Sequence, residues 1–219
     1  MPNAFATSVS ATNFRVTNNT TQLGNQYVLV YLTPEVGAEN WLYAAWQQLN
    51  PGQGGTQSFT LNQAVSGQME SLDGTYTTNT LAITPGYVSE LTNGTNLQAT
   101  LQPPVLGTTA PPPQVTSSQS GMQNATLQPS VAMNALWYVN GNLTCKSISP
   151  VSAGNTLSAF ELDTTLYWAV GNAVEGPNYT YNQITPLTKY VLPANTPLVN
   201  VSLIYANSQF QFDFQPGSN

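Results

Sequence analysis

Charge is what this sequence has least of. Its 219 residues include three basic side chains (Arg15, Lys146 and Lys189), nine acidic ones and no histidine, so that 5% of the chain is charged. An ordinary soluble domain carries about 25% charged residues. Three cations cannot form the basic patch with which proteins neutralise phosphates, so nucleic acid is excluded as a partner. The absence of histidine excludes every mechanism that needs a histidine base or a histidine metal ligand.

Cysteine and the common catalytic motifs are almost as scarce. The single cysteine, Cys145, cannot form an intrachain disulfide, and no Cys/His cluster exists to hold structural zinc. The glycine-rich segment 51–55 lacks the Lys-Ser/Thr ending of a phosphate loop, and no Gly-x-Ser-x-Gly elbow is present. We therefore expect no cofactor and no enzymatic activity, and we expect Cys145 to be a buried apolar residue.

Long apolar runs are absent as well. No stretch approaches the roughly 18 consecutive apolar residues of a membrane span, so no span is expected. The segment from Met1 to Ser8 has neither a basic start nor a continuous apolar run, and does not resemble a signal peptide. We expect an extracellular or virion location, reached after removal of a leader or by another route such as release through lysis.

Apolar and neutral polar residues take the place of the missing charges. Hydrophobic residues make up 41% of the chain and aromatic residues 10%, which is enough for a sizeable core. The surface is left to Thr, Ser, Asn and Gln, whose side chains do not change state with pH. With so few titratable groups, proton binding contributes little to the free energy of folding. The sequence therefore predicts a stability that changes little with pH, far into acid.

Alternation with a period of two residues dominates the chain and predicts strands. Phenylalanines occupy alternate positions from 210 to 214, apolar residues alternate from 199 to 205, and Asn207-Ser208 between them predicts a tight hairpin. Asn140-Gly141 predicts a second hairpin, because both central residues of a type I′ turn need positive φ. These patterns predict an all-β fold, a two-sheet antiparallel β-sandwich that resembles a jelly roll.

Two segments depart from the alternation. Near residues 36–49, apolar residues from Leu42 to Leu49 recur at helical spacing and predict at most one short helix. From 102 to 123, five prolines, two glycines and many hydroxyls predict a long Pro/Ser/Thr-rich loop. Neither half of the chain alone shows a full set of strands. We therefore interpret residues 1–219 as a single β-sandwich domain crossed by this loop, rather than as two small domains joined by a linker.

The most suggestive acidic pair is Glu161 and Asp163, two positions apart, which would share one face of a strand. Paired carboxylates suit acid–base or glycosidase chemistry, and with Glu175 they would form part of a calcium site. The simplest interpretation is a polar strand face. We assign no catalytic residue, and Glu161, Asp163 and Glu175 stand as candidate calcium ligands.

Edge strands give a physical reason to expect assembly. Such strands are usually protected by charged side chains, especially lysine, and this chain has few. Its edges must then be covered by loops, interrupted by proline, or paired with a neighbouring molecule. The charge-poor, Thr/Asn/Gln/Tyr-rich composition also resembles that of coat and surface proteins of acid-dwelling thermophiles and their viruses, a resemblance that assigns no residue a role.

Three functions remain open on these grounds. The leading hypothesis is a non-enzymatic, self-assembling structural protein (a capsid, penton or turret component, or a cell-surface subunit) adapted to an acidic or harsh medium, with copies of itself or other coat proteins as partners. The alternative is a carbohydrate-binding β-sandwich, a lectin or toxin-like module, because four tryptophans and eleven tyrosines among abundant amides suit glycans. The third is a histidine-free enzyme that uses an apolar pocket.

Overall fold

In a computed structural model of the chain, the structure describes residues 11–34, 40–62, 64–93, 99–108, 114–126, 131–154, 156–172 and 185–217. Eighteen strands make up the regular structure of these residues, and the predicted all-β sandwich class is confirmed. In chain order the strands are β1 (Thr12–Asn18), β2 (Tyr27–Pro34), β3 (Trp41–Tyr43), β4 (Gln47–Leu49), β5 (Thr56–Leu61), β6 (Val65–Ser71), β7 (Leu81–Ala82), β8 (Tyr87–Asn93), β9 (Ala99–Leu101), β10 (Val105–Leu106), β11 (Ser120–Asn124), β12 (Met133–Val139), β13 (Asn142–Ser147), β14 (Thr156–Phe160), β15 (Leu162–Gly171), β16 (Thr188–Val191), β17 (Leu198–Ala206) and β18 (Gln209–Gly217).

The strands form four sheets, and the chain divides into two compact units. Unit 1 comprises Met1–Leu32, Ala44–Gln63 and Asp163–Asn219, and unit 2 comprises Thr33–Tyr43 and Ala64–Leu162. Each unit contains two of the four sheets. The exceptions are the last two residues of β2 and the first residue of β15, which belong to unit 2 although the rest of these strands belongs to unit 1. That residues 1–219 fold as one domain stays a prediction, because a division by contacts does not measure folding cooperativity.

Unit 1 contains two four-stranded sheets. Sheet I has the order β18-β17-β1-β5, and sheet II has the order β16-β15-β2-β4. The pairing of β1 with β17 is parallel, whereas β17–β18 and β1–β5 are antiparallel. In sheet II, β2 is buried on both faces from Val28 to Leu32, as expected for a central strand whose sequence is apolar throughout.

Aromatic rings join the two sheets of unit 1. Trp168 on β15 is fully buried, and its ring centroid lies 5.9 Å from that of Phe14 and 5.4 Å from that of Phe214. Phe59 stacks on Phe14 at 4.9 Å, and Trp46 meets Phe59 edge-on at 5.3 Å. These distances lie within the range of favourable aromatic pairs, so this cluster is the core of unit 1.

Unit 2 contains two five-stranded sheets. Sheet III has the order β3-β13-β12-β6-β7, and sheet IV has the order β10-β8-β11-β14, with β9 also paired to β8. Trp137 on β12 stacks on Phe160 of β14 at 5.3 Å. A Cβ placed on Gly67 of β6 would lie 2.5 Å from the Sδ atom of Met122 on β11, so glycine permits the close approach of the two sheets here.

Both hairpins predicted from turn residues are confirmed. Asn140 and Gly141 have φ of 53° and 79°, and Asn207 and Ser208 have φ of 53° and 61°. Each pair connects two adjacent antiparallel strands, β12 to β13 and β17 to β18. Two consecutive positive φ values are typical of the type I′ turn, whose twist matches that of the flanking strands.

Two local predictions need correction. Of the segment 36–49, Trp41–Tyr43 and Gln47–Leu49 form the short strands β3 and β4, so the apolar residues from Leu42 to Leu49 do not lie on a helix. Asn40 has a 3₁₀ conformation, and 35–39 lie outside the described residues. Short strands separated by a bend produced a helical spacing of apolar residues by coincidence. The predicted loop 102–123 contains β10 and the first four residues of β11, while 109–113 lie outside the described residues.

The strand β11 escaped prediction because its sequence, SGMQN, is polar although all five residues are buried. It lies between β8 and β14, so its backbone is paired on both sides. Its polar side chains are also satisfied: Ser120 Oγ donates to the carbonyl oxygen of Ile83 at 2.7 Å, and Asn124 Nδ2 donates to that of Val151 at 2.9 Å. Buried polar groups that are fully bonded cost little, which lets a polar sequence form a central strand.

Cys145 is fully buried on β13, as expected. Burial raises the pKa of its thiol well above the ordinary value, because the apolar surroundings disfavour the thiolate. Within the described residues, no helix is long and apolar enough to cross a membrane.

Candidate functional site

The outer face of sheet I consists almost wholly of neutral hydrogen-bonding side chains. Strand register aligns them in rows that run across all four strands of the sheet. Two such rows are Asp213–Ser202–Thr17–Thr56 and Gln215–Asn200–Arg15–Ser58. The hydroxyl oxygens of the two threonines lie 2.8 Å apart. Water therefore solvates this face mainly through hydrogen bonds to neutral amide and hydroxyl groups. Asp213 and Arg15 are the two charged residues in these rows.

Strand β18 is the edge of sheet I. It pairs with β17 over nine consecutive residues without a register shift, and among the described residues no strand pairs with its other side. Its residues alternate between exposed positions, among them Gln211 and Asp213, and half-buried phenylalanines. Every second residue of an edge strand directs its N–H and C=O groups away from the sheet. The edge carries one charge, Asp213, and one residue without an N–H, Pro216.

A groove of about 440 Å³ opens beside the β17–β18 turn in unit 1. Two aromatic rings form part of its wall: Tyr205, 43% exposed, and Phe210, whose centroids lie 5.1 Å apart in an edge-on arrangement. The remaining lining residues are polar or small: Thr185, Pro186, Thr188, Ser208 and Gln209. None of these seven side chains is charged, so the described part of the groove wall consists of rings and neutral hydrogen-bonding groups.

A smaller cavity of about 270 Å³ lies in unit 2. Three of its ten described lining residues are serines, and the one aromatic residue among them, Trp41, is only 8% exposed. Without an accessible ring or a charge, this cavity offers a ligand little beyond hydrogen bonds that water makes equally well.

The candidate calcium ligands are distributed differently from the expectation. Glu161 lies in the one-residue break between β14 and β15, so it does not alternate with Asp163 along one strand. The Oδ1 atom of Asp163 accepts a hydrogen bond from Thr165 N at 3.0 Å. Glu175 lies outside the described residues, among which no group of three or more His, Cys, Asp and Glu side chains could hold a metal ion. Calcium binding by these three residues stays a prediction.

Sheet III holds a half-buried ion pair between Lys146 and Glu70. Nearby, Tyr138 Oη donates to Gln68 Oε1 at 2.7 Å. Burial, together with the negative charge of Glu70, raises the pKa of the Tyr138 hydroxyl. Every group of this cluster is engaged by a neighbour in the same sheet, which is the arrangement of a structural network rather than of groups that await a substrate.

Among the described acidic residues, Asp73 stands out because its pKa is unusually low. Its Oδ1 atom accepts hydrogen bonds from Ser71 Oγ at 2.6 Å, Thr75 Oγ1 at 2.8 Å and Thr75 N at 3.1 Å. These bonds favour the carboxylate and lower the pKa of Asp73 to about 2. Since the folded-state pKa lies below the unfolded value of about 3.9, the stabilisation is complete above about pH 4 and is lost as the pH falls through 2.

A carbon-detected NMR titration of the Asp73 carboxyl group should therefore show a midpoint near 2. The variant Ser71→Ala should move that midpoint upward, because it removes the bond that lowers the pKa most. An unchanged midpoint in this variant would show that the hydrogen bonds are not the cause.

The sequence did not predict the groove, although it did predict the turn beside it. Tyr205 continues the alternation of β17 and Phe210 that of β18, so both were assigned to the strands' apolar face. The sequence feature that could have indicated the groove is the position of Tyr205 beside the turn. At the end of a strand, a residue on the apolar face has fewer neighbours to cover it.

No protein-family model, no curated protein and no solved structure matches this chain.

Proposed function

We propose that this chain is a non-enzymatic structural protein that assembles with copies of itself, as a component of a virion coat or a cell-surface layer in an acidic or harsh medium. The observation that carries the proposal is β18, a nine-residue edge strand with a single charge, one side of which pairs with no strand in the described part of the chain. Natural proteins usually protect such an edge, since it is a template for pairing with another chain. An edge left open to this extent supports a role in assembly.

The partner that fits this edge best is the β18 strand of a second copy. Two identical strands that pair antiparallel about a two-fold axis present the same residues to each other. All nine residues overlap only in the register that places Asp213 opposite its counterpart, which also places Phe212 opposite Phe214 and Gln211 opposite Gln215. Such pairing would join two copies of sheet I into one eight-stranded sheet with a continuous neutral outer face.

That register makes assembly dependent on pH. Two facing carboxylates repel each other, whereas two protonated ones do not. The Asp213 carboxylate accepts hydrogen bonds from its own neighbour, Gln215 Nε2, and Arg15, two strands away, is the other charge in these rows of the face. Assembly should therefore be stronger in acid, which removes the repulsion between facing carboxylates. This direction agrees with a protein that works in acid.

The test is light scattering coupled to size-exclusion chromatography, at about pH 7 and about pH 3. The wild-type chain should form dimers or larger species, more so at the lower pH. Gln211→Lys adds a charge to the edge and should raise the dissociation constant at least about tenfold. Asp213→Asn should remove the pH dependence and assemble equally well at both values.

Ser58→Lys is the matched control, since it adds the same charge to the same face on the opposite edge strand, β5. It should leave assembly unchanged. A wild-type chain that stays monomeric at both pH values would contradict the proposal. Assembly blocked by Ser58→Lys and untouched by Gln211→Lys would show that β18 is not the interface.

A further inference from the structure

We infer that the groove beside the β17–β18 turn is a binding site for a neutral pyranose sugar, with the exposed ring of Tyr205 as its stacking platform. This inference concerns a ligand and does not depend on self-assembly. The groove's volume of about 440 Å³ falls within the ~300–1,000 Å³ range of small-molecule sites. The fixed edge-on contact with Phe210, at 5.1 Å, holds the Tyr205 ring in place before a ligand arrives.

The chemistry of the lining selects the class of ligand. Among the described residues that line the groove none is charged, so these residues do not compensate the charge of a phosphate, a carboxylate or an amine. The two rings offer a flat apolar surface, while Thr188, Ser208 and Gln209 offer hydroxyl and amide groups at its margin. A pyranose has this same division, with an apolar C–H face and a rim of neutral hydroxyls.

The hydrogen-bonding groups of the groove can exchange water for a ligand. Ser208 and Gln209 are exposed to solvent, so their polar side chains are accessible to a ligand. Thr185 has a different role, because its Oγ1 atom already accepts a hydrogen bond from Val170 N at 2.9 Å and so anchors the groove's wall to β15. The wall is thus fixed by the sheet, and the groups at the margin remain available.

Ser208 supplies an independent observation. It has φ of 61°, in the left-handed region, where a side chain is disfavoured and glycine is the usual choice. The equivalent position of the other type I′ turn is indeed a glycine, Gly141. A residue kept in a strained conformation is a pointer to function, and here the strained residue is one of those that line the groove.

The probes are the methyl pyranosides of glucose, galactose and mannose, titrated separately into the wild-type protein to about 50 mM with two-dimensional NMR as the readout. At least one of them should shift the signals of Tyr205 and Ser208, with a dissociation constant on the order of 1 mM. The affinity is weak because the favourable free energy of one stacked ring and a few neutral hydrogen bonds only slightly exceeds the entropic cost of association.

Tyr205→Ala should weaken this binding about tenfold or more, while Tyr205→Phe, which keeps the ring, should retain most of it. Tyr87→Ala is the control, since Tyr87 is an exposed tyrosine of unit 2 that does not line the groove. It should bind as the wild type does.

Ser208→Gly separates binding from folding, because the two are expected to change in opposite directions. Relief of the left-handed strain should raise the Tm by roughly 2–4 °C, and loss of the hydroxyl should weaken binding severalfold. No shifts with any of the three glycosides would overturn the inference. Binding that survives Tyr205→Ala and Ser208→Gly unchanged would overturn it as well, because the sugar would then bind elsewhere.

Discussion

Replacing Trp168 with alanine is expected to lower the free energy of unfolding by about 3–5 kcal/mol, the usual cost of deleting a large buried aromatic side chain. The Trp168 ring lies within 6 Å of four phenylalanine rings, and it is fully buried. Its removal leaves a cavity between sheets I and II, and the other sheet II ring of this cluster, Tyr190 on β16, is already stacked on Phe214 at 4.4 Å. Urea denaturation followed by far-ultraviolet circular dichroism measures the change.

Trp168→Phe is the informative control. The Nε1–H group of Trp168 is buried and has no hydrogen-bond partner among the described residues. An unpaired buried donor lowers the free energy of unfolding by about 1–3 kcal/mol. Phenylalanine lacks this donor, so its removal offsets part of the stability that is lost when the larger indole ring is replaced by a smaller one. The expected loss is below about 2 kcal/mol. An alanine variant as stable as the wild type would show that this cluster is not the core of unit 1.

The hairpins could be predicted because their causes are local. Asn140-Gly141 and Asn207-Ser208 carry the residues that tolerate positive φ, and alternating apolar residues flank both. Nothing beyond about ten neighbouring residues is needed to bring β17 and β18 together. The neutral outer face of sheet I followed from the same alternation, since the residues between the phenylalanines of β18 had to point outward.

The sheet order could not be predicted, because it depends on contacts far apart in sequence. The parallel pairing of β1 with β17 matches Asn13 to Leu198, and no local pattern specifies it. The alternation also missed the shortest strands: two-residue strands such as β7 and β10 are too short to show a period. The described residues therefore contain more strands, eighteen in all, than the alternation reveals.

The candidate sites divide in the same way. That β18 lacks protective charge was visible in the sequence, but its place at the edge of sheet I was not. The groove joins Thr185 and Thr188 to the turn at Ser208, some twenty residues further along, and arises only when sheets I and II pack. The spacing of Glu161 and Asp163, in contrast, suggested a shared strand face that the break between β14 and β15 removes.

In unit 2, Trp137→Ala is expected to cost a similar ~3–5 kcal/mol. Trp137 is fully buried on β12, stacks on Phe160 at 5.3 Å, and its Nε1–H donates to Ser158 Oγ at 3.3 Å. Here phenylalanine is a poorer replacement than it is at position 168. Trp137→Phe breaks an existing bond and leaves the buried Ser158 hydroxyl without its donor, whereas Trp168→Phe removes a donor that had no partner. Trp137→Phe should therefore destabilise the protein by about 1 kcal/mol more than Trp168→Phe.

Differential scanning calorimetry of the two alanine variants also tests the prediction that residues 1–219 form a single domain. One cooperative domain unfolds in one transition, so Trp168→Ala and Trp137→Ala should lower the same Tm, by amounts that follow their losses of stability. Each substitution lies in a different unit, which makes the comparison decisive. If the wild-type chain unfolds in two transitions, and each alanine variant lowers only one of them, the units fold independently and the single-domain prediction is wrong.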